Sequence, residues 1–249
     1  MREYYVGNQK VMINFDGLKR IGGGAEGDVY QYQKGLLIKK FNPNRPLYLW
    51  PIEEKQLRGI QNVNLRLISL PLKLVYDKSQ KRLVGYTMRQ FYDIVRLYRM
   101  HHIQISNIVR MLKEFEKEIF ELSLSVKLGD IKLDSIWYSK SRKKLCLLDS
   151  SGYRMIKDDE DPREVFRDNF VDINEVIINQ LLLADSFGNS FDLDGYDLPD
   201  IFVSAYEDGA FLSEVLEQEQ KRTGCRTIKE LREVYRNSRE ICQNTNSKL

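Results

Sequence analysis

Eight residues, Gly22-Gly23-Gly24-Ala25-Glu26-Gly27-Asp28-Val29, constrain this chain more than any other stretch. Glycines at 22, 24 and 27 with Val29 fit the pattern G-x-G-x-x-G-x-V. Without a Cβ, a backbone turns sharply and brings its N–H groups against phosphate oxygens. The residues after the glycines select among folds. A dinucleotide-binding unit needs a helix directly after them. Here come Val29-Tyr30-Gln31-Tyr32-Gln33, a Lys34-Gly35 turn, and Leu36-Leu37-Ile38-Lys39-Lys40-Phe41. That reads as strand, turn, strand, and the dinucleotide fold is excluded. The pattern G-x-x-x-x-G-K-[ST] also fails, because no Lys-Ser or Lys-Thr comes after the glycines. A β-hairpin remains, either folded over phosphates or carrying no ligand.

The neighbouring sequence extends this pattern. Met12-Ile13-Asn14-Phe15 alternates, Asp16-Gly17 signals a turn, and Leu18 to Ile21 leads into the glycines. After a loop over 42–50, residues 51–60 read as a helix with Pro51 at its start. Glu53 has Leu57 and Ile60 at i+4 and i+7, which puts it on the inward face. Glu54 has Arg58 and Gln61 there and reads as solvated. Leu65 to Leu70 reads as a strand stopped by Pro71. Leu72–Tyr76 and Arg82–Met88 then form a hairpin around Asp77–Lys81.

From about residue 92 the pattern turns helical. Apolar residues at 108, 109, 112, 115, 119, 120 and 122 predict a helix over 105–124. Further helices are predicted over 172–187, 210–220 and 227–241, the last two split at Thr223-Gly224. Strands first and helices second predict an α+β fold in two lobes, with a hinge near 89–92.

Composition closes off several functions. The chain has 249 residues, enough for one large domain or two small lobes. Its 39 basic residues against 36 acidic ones give a net charge of only +3, without a long basic run, so a nucleic-acid partner is not expected. The densest basic cluster, Lys140-Ser141-Arg142-Lys143-Lys144, reads as a solvated hairpin tip. No apolar run reaches the roughly 18 residues of a membrane span, and the first residues lack a signal-peptide core. Cys146, Cys225 and Cys242 are odd in number and far apart, which points to a reducing, cytoplasmic setting. His101 and His102 lack the Cys or Asp partners of a zinc site or a hydrolase triad.

A second chemical stretch runs Lys127-Leu128-Gly129-Asp130-Ile131-Lys132-Leu133-Asp134-Ser135-Ile136-Trp137, with Leu145-Cys146-Leu147-Leu148-Asp149-Ser150-Ser151-Gly152 shortly after it. It reads as a turn carrying Asp130 and Lys132, then a hairpin that delivers Asp149 at the end of an apolar strand. Two carboxylates and a lysine at loop ends suit phosphate transfer: one acid for a hydroxyl, one for a metal, the lysine for a phosphate. Each is also an ordinary turn residue.

In order, these features resemble the protein-kinase-like superfamily, as a small, divergent bacterial-type Ser/Thr kinase or pseudokinase. The resemblance covers roughly residues 18–185. Leu36-Leu37-Ile38-Lys39 resembles the V-A-I-K strand, Val84-Gly85-Tyr86-Thr87-Met88 the strand to the hinge, and Asp130-Ile131-Lys132-Leu133-Asp134-Ser135 the catalytic loop. It implies one kinase-like domain over 1–249, with a β-rich N-lobe carrying one helix and the hinge in 1–91, and a mostly helical, shortened C-lobe in 92–249.

It also implies ATP under Gly22, Gly23, Gly24, Ala25, Glu26, Gly27 and Val29, with Lys39 on its phosphates and Glu53, or else Glu54, paired with Lys39. Met88 backs the adenine pocket, and Arg89, Gln90 and Phe91 form the hinge. Asp130 takes the acceptor's hydroxyl, Lys132 steadies the transferred charge, and Asp149 and Ser135 stand at the Mg²⁺ positions.

There are four departures. Leu128 stands for the usual His, Ser135 for Asn, and Ser150-Ser151 for Phe-Gly. There is no A-P-E, only Asp161-Pro162-Arg163-Glu164, and little room for an activation segment before the helix near 172. Three functions therefore stay open. The first is an ATP-dependent Ser/Thr kinase acting on an unknown acceptor. The second is a pseudokinase binding nucleotide or partners. The third is a kinase-fold enzyme for a small molecule, for which Asp158-Asp159-Glu160-Asp161, which otherwise reads as a solvated acidic loop, would supply an acidic pocket for an amine.

Overall fold

Side-chain alternation builds the first part of the molecule. The computed structural model describes residues 1–43, 54–129, 131–148, 152–183 and 200–235. Strands β1 (Arg2–Val6), β2 (Gln9–Ile13), β3 (Arg20–Gly24), β4 (Gly27–Gln33) and β5 (Leu36–Phe41) precede helix α1 (Glu54–Ile60) and strands β6 (Pro71–Asp77) and β7 (Leu83–Arg89). They form one antiparallel sheet in the order β2-β1-β6-β7-β5-β4-β3. The strand–turn–strand reading after the glycines holds, with the turn at Gly35 in a left-handed conformation. The 71–88 hairpin holds as well.

The faces of this sheet bury two separate clusters. One holds Tyr4, Val6, Phe15, Ile38 and Val75. The other holds Leu57 of α1 with Leu74, Tyr86 and Met88, and Leu37 packs on it. Successive residues of β5 therefore face opposite ways. Lys40 lies over the Phe15 ring, with its Nζ 4.8 Å from the centroid, while Lys39 belongs to the face of Leu37.

The rest is mainly helical. Strand β8 (Ile94–Arg96), helix α2 (Ile105–Ser123), and strands β9 (Val126–Lys127), β10 (Ile136–Ser139), β11 (Lys144–Leu147) and β12 (Arg154–Met155) lead to helices α3 (Pro162–Ile178), α4 (Asp200–Glu207) and α5 (Leu212–Thr223). Residues 228–235 are helical too. Ile108, Leu112, Phe115 and Ile119 of α2 are fully buried against Phe170 and Ile173 of α3 and Leu216 of α5. Phe120 and Leu124, off that stripe, are exposed. Buried Glu116 accepts hydrogen bonds from the backbone N–H and hydroxyl of Ser213, which fixes the start of α5. Gly224, at φ 71°, closes that helix in the left-handed conformation that favours glycine. The architecture is α+β with a large antiparallel sheet. No helix among the described residues is long and apolar enough to cross a membrane.

Two predicted elements need correction. Leu65 to Leu70 is not a regular strand. It makes one bridge, Ile68 to Leu147, and the Glu118 carboxylate takes the N–H groups of Arg66 and Leu67. The helix expected from 172 begins ten residues earlier. Asp161 caps it by accepting the Arg163 N–H, and Pro162 occupies its first turn. Residues 184–187 and 236–241 of the predicted helices lie outside the described residues. The alternation read over 12–15 overlaps the end of β2, which stops at Ile13 before a helical turn over Phe15–Gly17; strands β1, β8, β9 and β12 and helix α4 were not legible as elements.

Candidate functional site

The β3–β4 hairpin is the roof of a cleft. Gly24 pairs with Gly27 across a two-residue tip, Ala25-Glu26. The glycines serve different ends. A Cβ on Gly27 would stand 2.2 Å from the Lys40 carbonyl oxygen, and one on Gly85 2.0 Å from that of Lys39. These two glycines let β4 and β7 close on β5 from both sides. A Cβ on Gly22 or Gly24 would meet nothing within 4 Å. Arg20 and Asp28 pair across the hairpin at 2.8 Å.

Beneath the hairpin lies a cleft of about 550 Å³. Residues 22–27, Val29, Lys39, the four residues 88–91 and Lys132 all line it. The sequence had these positions spread over more than a hundred residues. Lys39 is 7% exposed, and its Nζ lies 2.9 Å from Glu26 Oε2, so the hairpin tip folds its carboxylate onto the strand lysine. Gln90 Oε1 is buried there without a hydrogen-bond partner among the described residues.

Of the two glutamates weighed as partners of Lys39, Glu53 lies outside the described residues. Glu54 is committed elsewhere, to the Tyr76 hydroxyl and to Arg58. Those two contacts, Tyr76 first, hold its carboxyl below the usual range. Burial, then Glu54, pushes the Tyr76 phenol up to about 12.

The opposite wall is a turn held by side chains. Asp130 and Asp149 lie outside the described residues, as do Ser150 and Ser151. Their flanks are described and meet. A Cβ on Gly152 would stand 2.3 Å from the Gly129 carbonyl oxygen, and β9 pairs with β12 beside this contact. Gly129 and Gly152, which flank the two acid-bearing segments in the sequence, thus meet at backbone distance. Asn169, fully buried on α3, accepts the Leu128 N–H at 2.8 Å and donates to Val126 O and Ser123 Oγ. Lys127 pairs with Asp168 at 2.8 Å. Burial first, then Glu175 and Asp168, pushes the neighbouring Asp172 carboxyl up to about 6.

Ser135 is 2% exposed, and its hydroxyl accepts the Lys132 N–H at 3.0 Å. Its own N–H donates to Lys132 O, and its carbonyl accepts from Leu148. The side chain closes the Lys132 turn and is not part of the cleft lining.

The sequence reading missed Asp134 and Trp137, which line the cleft as well. The Trp137 indole N–H donates to Asp134 O at 2.6 Å. The Arg96 guanidinium lies 3.9 Å from the ring centroid and 3.7 Å from the Asp134 carboxylate. The alternation of β10 was the available signal: Ile136 is fully buried, so Trp137 faces the other way.

The acidic run 158–161 is largely spent on structure. Glu160 pairs with Arg154 and accepts the Lys157 N–H, and Arg154 holds it down at about 2. Asp161 is the α3 cap. Among the described residues, no group of three or more His, Cys, Asp and Glu is arranged to hold a metal. Cys146 and Cys225 are buried free thiols, and burial pushes Cys146 up to about 12. In comparisons with known proteins, the chain matches no family model and no curated protein.

Proposed function

We propose that the protein is a two-lobed, protein-kinase-like ATP phosphotransferase whose acceptor is a Ser or Thr hydroxyl of a protein. One observation carries the reading: the glycine hairpin, Lys39, residues 88–91 and Lys132 line a single cleft. The residues present suit a nucleotide. The volume falls within the ~300–1,000 Å³ of small-molecule sites. Val29, Leu37 and Met88 offer an apolar side for a base, and Lys39 and Lys132 a cationic side for phosphates. The open faces of Gly22 and Gly24 leave the hairpin backbone free to approach a ligand. Gln90 Oε1 is an acceptor in need of a donor.

In this reading Lys39 leaves Glu26 and meets the phosphates. Asp130 orients the acceptor hydroxyl and takes its proton, and Lys132 offsets charge on the transferred group. Asp149 would hold Mg²⁺, which would offset the negative charge of the phosphates. The contact of Gly129 with Gly152 supports bringing the segments of Asp130 and Asp149 together.

A second reading, a pseudokinase, draws on Ser135. Its buried hydroxyl is used by the Lys132 turn, and a ligand for a second metal is then lacking. Incubating the protein with Mg²⁺ and γ-labelled ATP separates the two. Transfer that is lost in Lys39→Ala and Asp149→Ala, and lost in Asp130→Ala with ATP binding intact, supports the kinase. Thermal stabilisation by ATP without transfer supports the pseudokinase. No ATP effect at millimolar concentration sinks both. Transfer that survives in Ser135→Ala assigns that hydroxyl to the turn alone.

A further inference from the structure

A second hollow, of about 890 Å³, opens at the end of the sheet where β1 and β7 begin and β5 and β6 end. It shares no lining residue with the cleft. Antiparallel pairing brings Arg2, Lys40, Lys78 and Arg82 around it from four separate strand ends. Lys40 reaches it because β5 alternates, with Lys39 facing the cleft.

The charges are not balanced within the hollow. Four cations stand against two carboxylates, Glu3, which pairs with Lys10 at 2.8 Å, and Asp77, which accepts from the Ser79 N–H and hydroxyl and keeps its charge. Among the described residues, no carboxylate lies within ion-pair distance of Arg2, Lys78 or Arg82. Part of its lining is apolar: Leu83 and Val84 border it half-buried, each leaning on the cluster of a different face of the sheet. Four cations around a partly apolar lining suit an anion that also carries hydrophobic side chains. Stacked bases fit less well. The rings of Tyr4 and Phe41 are already packed edge-on against Phe15 and Tyr86, at 5.3 and 5.8 Å, and single-stranded nucleic acids rely on free aromatic faces.

We propose that this hollow docks an acidic segment of a partner protein, one in which Asp or Glu alternates with Leu. Its cations steer and hold the segment's carboxylates, and the apolar part of the lining takes the leucines. The site is independent of the nucleotide reading, because none of its lining residues belongs to the cleft.

The test uses the full chain and a fluorescein-labelled peptide of alternating Glu and Leu, with anisotropy as the readout. Binding should weaken about tenfold in Arg2→Glu/Arg82→Glu, two reversals of roughly 0.7 kcal/mol each. It should also fall as salt rises. Lys140→Glu/Lys143→Glu, which removes the same charge from the exposed β10–β11 tip, should bind like the unaltered protein. A thermal melt of each variant shows that it folds. The proposal is overturned if the peptide does not bind, if both double variants lose binding equally, or if a single-stranded oligonucleotide or a Gln/Leu peptide binds as well as the acidic one.

Discussion

The two walls of the cleft are built by different means. On the sheet wall, Lys39 sits in a strand with hydrogen-bonded neighbours on both sides, in register with Val29 and Tyr86. Backbone pairing fixes its position, and Gly27 and Gly85 let the neighbours close in. On the turn wall, single side chains do that work: Ser135 Oγ holds the Lys132 N–H, Asn169 the Leu128 N–H, and Gln180 donates to Leu133 O. A backbone ladder spreads its energy over many bonds, each worth roughly 1 kcal/mol. A turn held by a few side chains depends on each of them. The sheet wall should therefore tolerate most substitutions except at its glycines, and the turn wall should respond to polar and ionisable changes in its supports.

The largest effect tests the sheet wall. In Gly27→Ala or Gly85→Ala the new methyl meets a carbonyl oxygen of β5, and neither strand can withdraw without breaking its ladder. A loss of about 3 kcal/mol is expected in denaturant melts. A loss below about 1 kcal/mol would mean that β5 is not pinned between its neighbours.

The next effect belongs to the turn wall. Asp172 titrates at about 6 in the folded protein against 3.8 for the free side chain. Between those values the folded state binds the proton and the unfolded state does not. Its contribution is therefore complete below about pH 4 and lost as pH rises through 6. Asp172→Asn should remove that decline and leave the protein more stable at pH 7 by about 2 kcal/mol, the ~3 kcal/mol of the full shift being reduced by solvent screening at this partly exposed carboxyl. An unchanged pH profile would mean that burial beside Glu175 and Asp168 does not hold the proton on Asp172.

The same difference explains what was legible in the sequence. The strands that carry the glycines and Lys39 announce themselves by alternation and by Lys34-Gly35, so most of the sheet wall was readable. Strand β1 was not, although β2 pairs with it directly across Gly7-Asn8, because Arg2-Glu3-Tyr4-Tyr5-Val6 is short and does not alternate cleanly between polar and apolar residues. On the turn wall, Lys132 stood out by its spacing from Asp130. The roles of Ser135 and Asn169 are hydrogen bonds to particular backbone groups, and no periodicity encodes those. The start of α3 was encoded, in Asp161-Pro162 with Glu164 shortly after, but as part of an acidic run it read as a loop. Glu26 was noted for its backbone. Its carboxylate meets Lys39 only because the hairpin folds the tip over β5.

That ion pair gives a smaller, sharper test. In the proposed reading Lys39 exchanges Glu26 for a phosphate when a nucleotide binds, and the pair is part-buried, with side-chain exposures of 9% and 23%. Glu26→Gln removes the competing charge and keeps the shape. If breaking the pair costs about 1 kcal/mol, ATP should bind roughly fivefold more tightly. Equal or weaker binding, measured by titration calorimetry, would show that Glu26 helps the ligand rather than opposing it.

The smallest effect on folding is also the most selective. Gly22 and Gly24 belong to the same motif as Gly27, yet space is empty where their Cβ atoms would be. Alanine at either site should change stability by no more than about 0.5 kcal/mol, in contrast to Gly27→Ala. What the methyl does occupy is the approach of a ligand to the hairpin backbone. Gly22→Ala and Gly24→Ala should therefore melt like the unaltered protein and bind ATP several-fold more weakly. If they bind ATP equally well, the hairpin is a roof that never touches the phosphates, and the cationic side of the cleft rests on Lys39 and Lys132 alone.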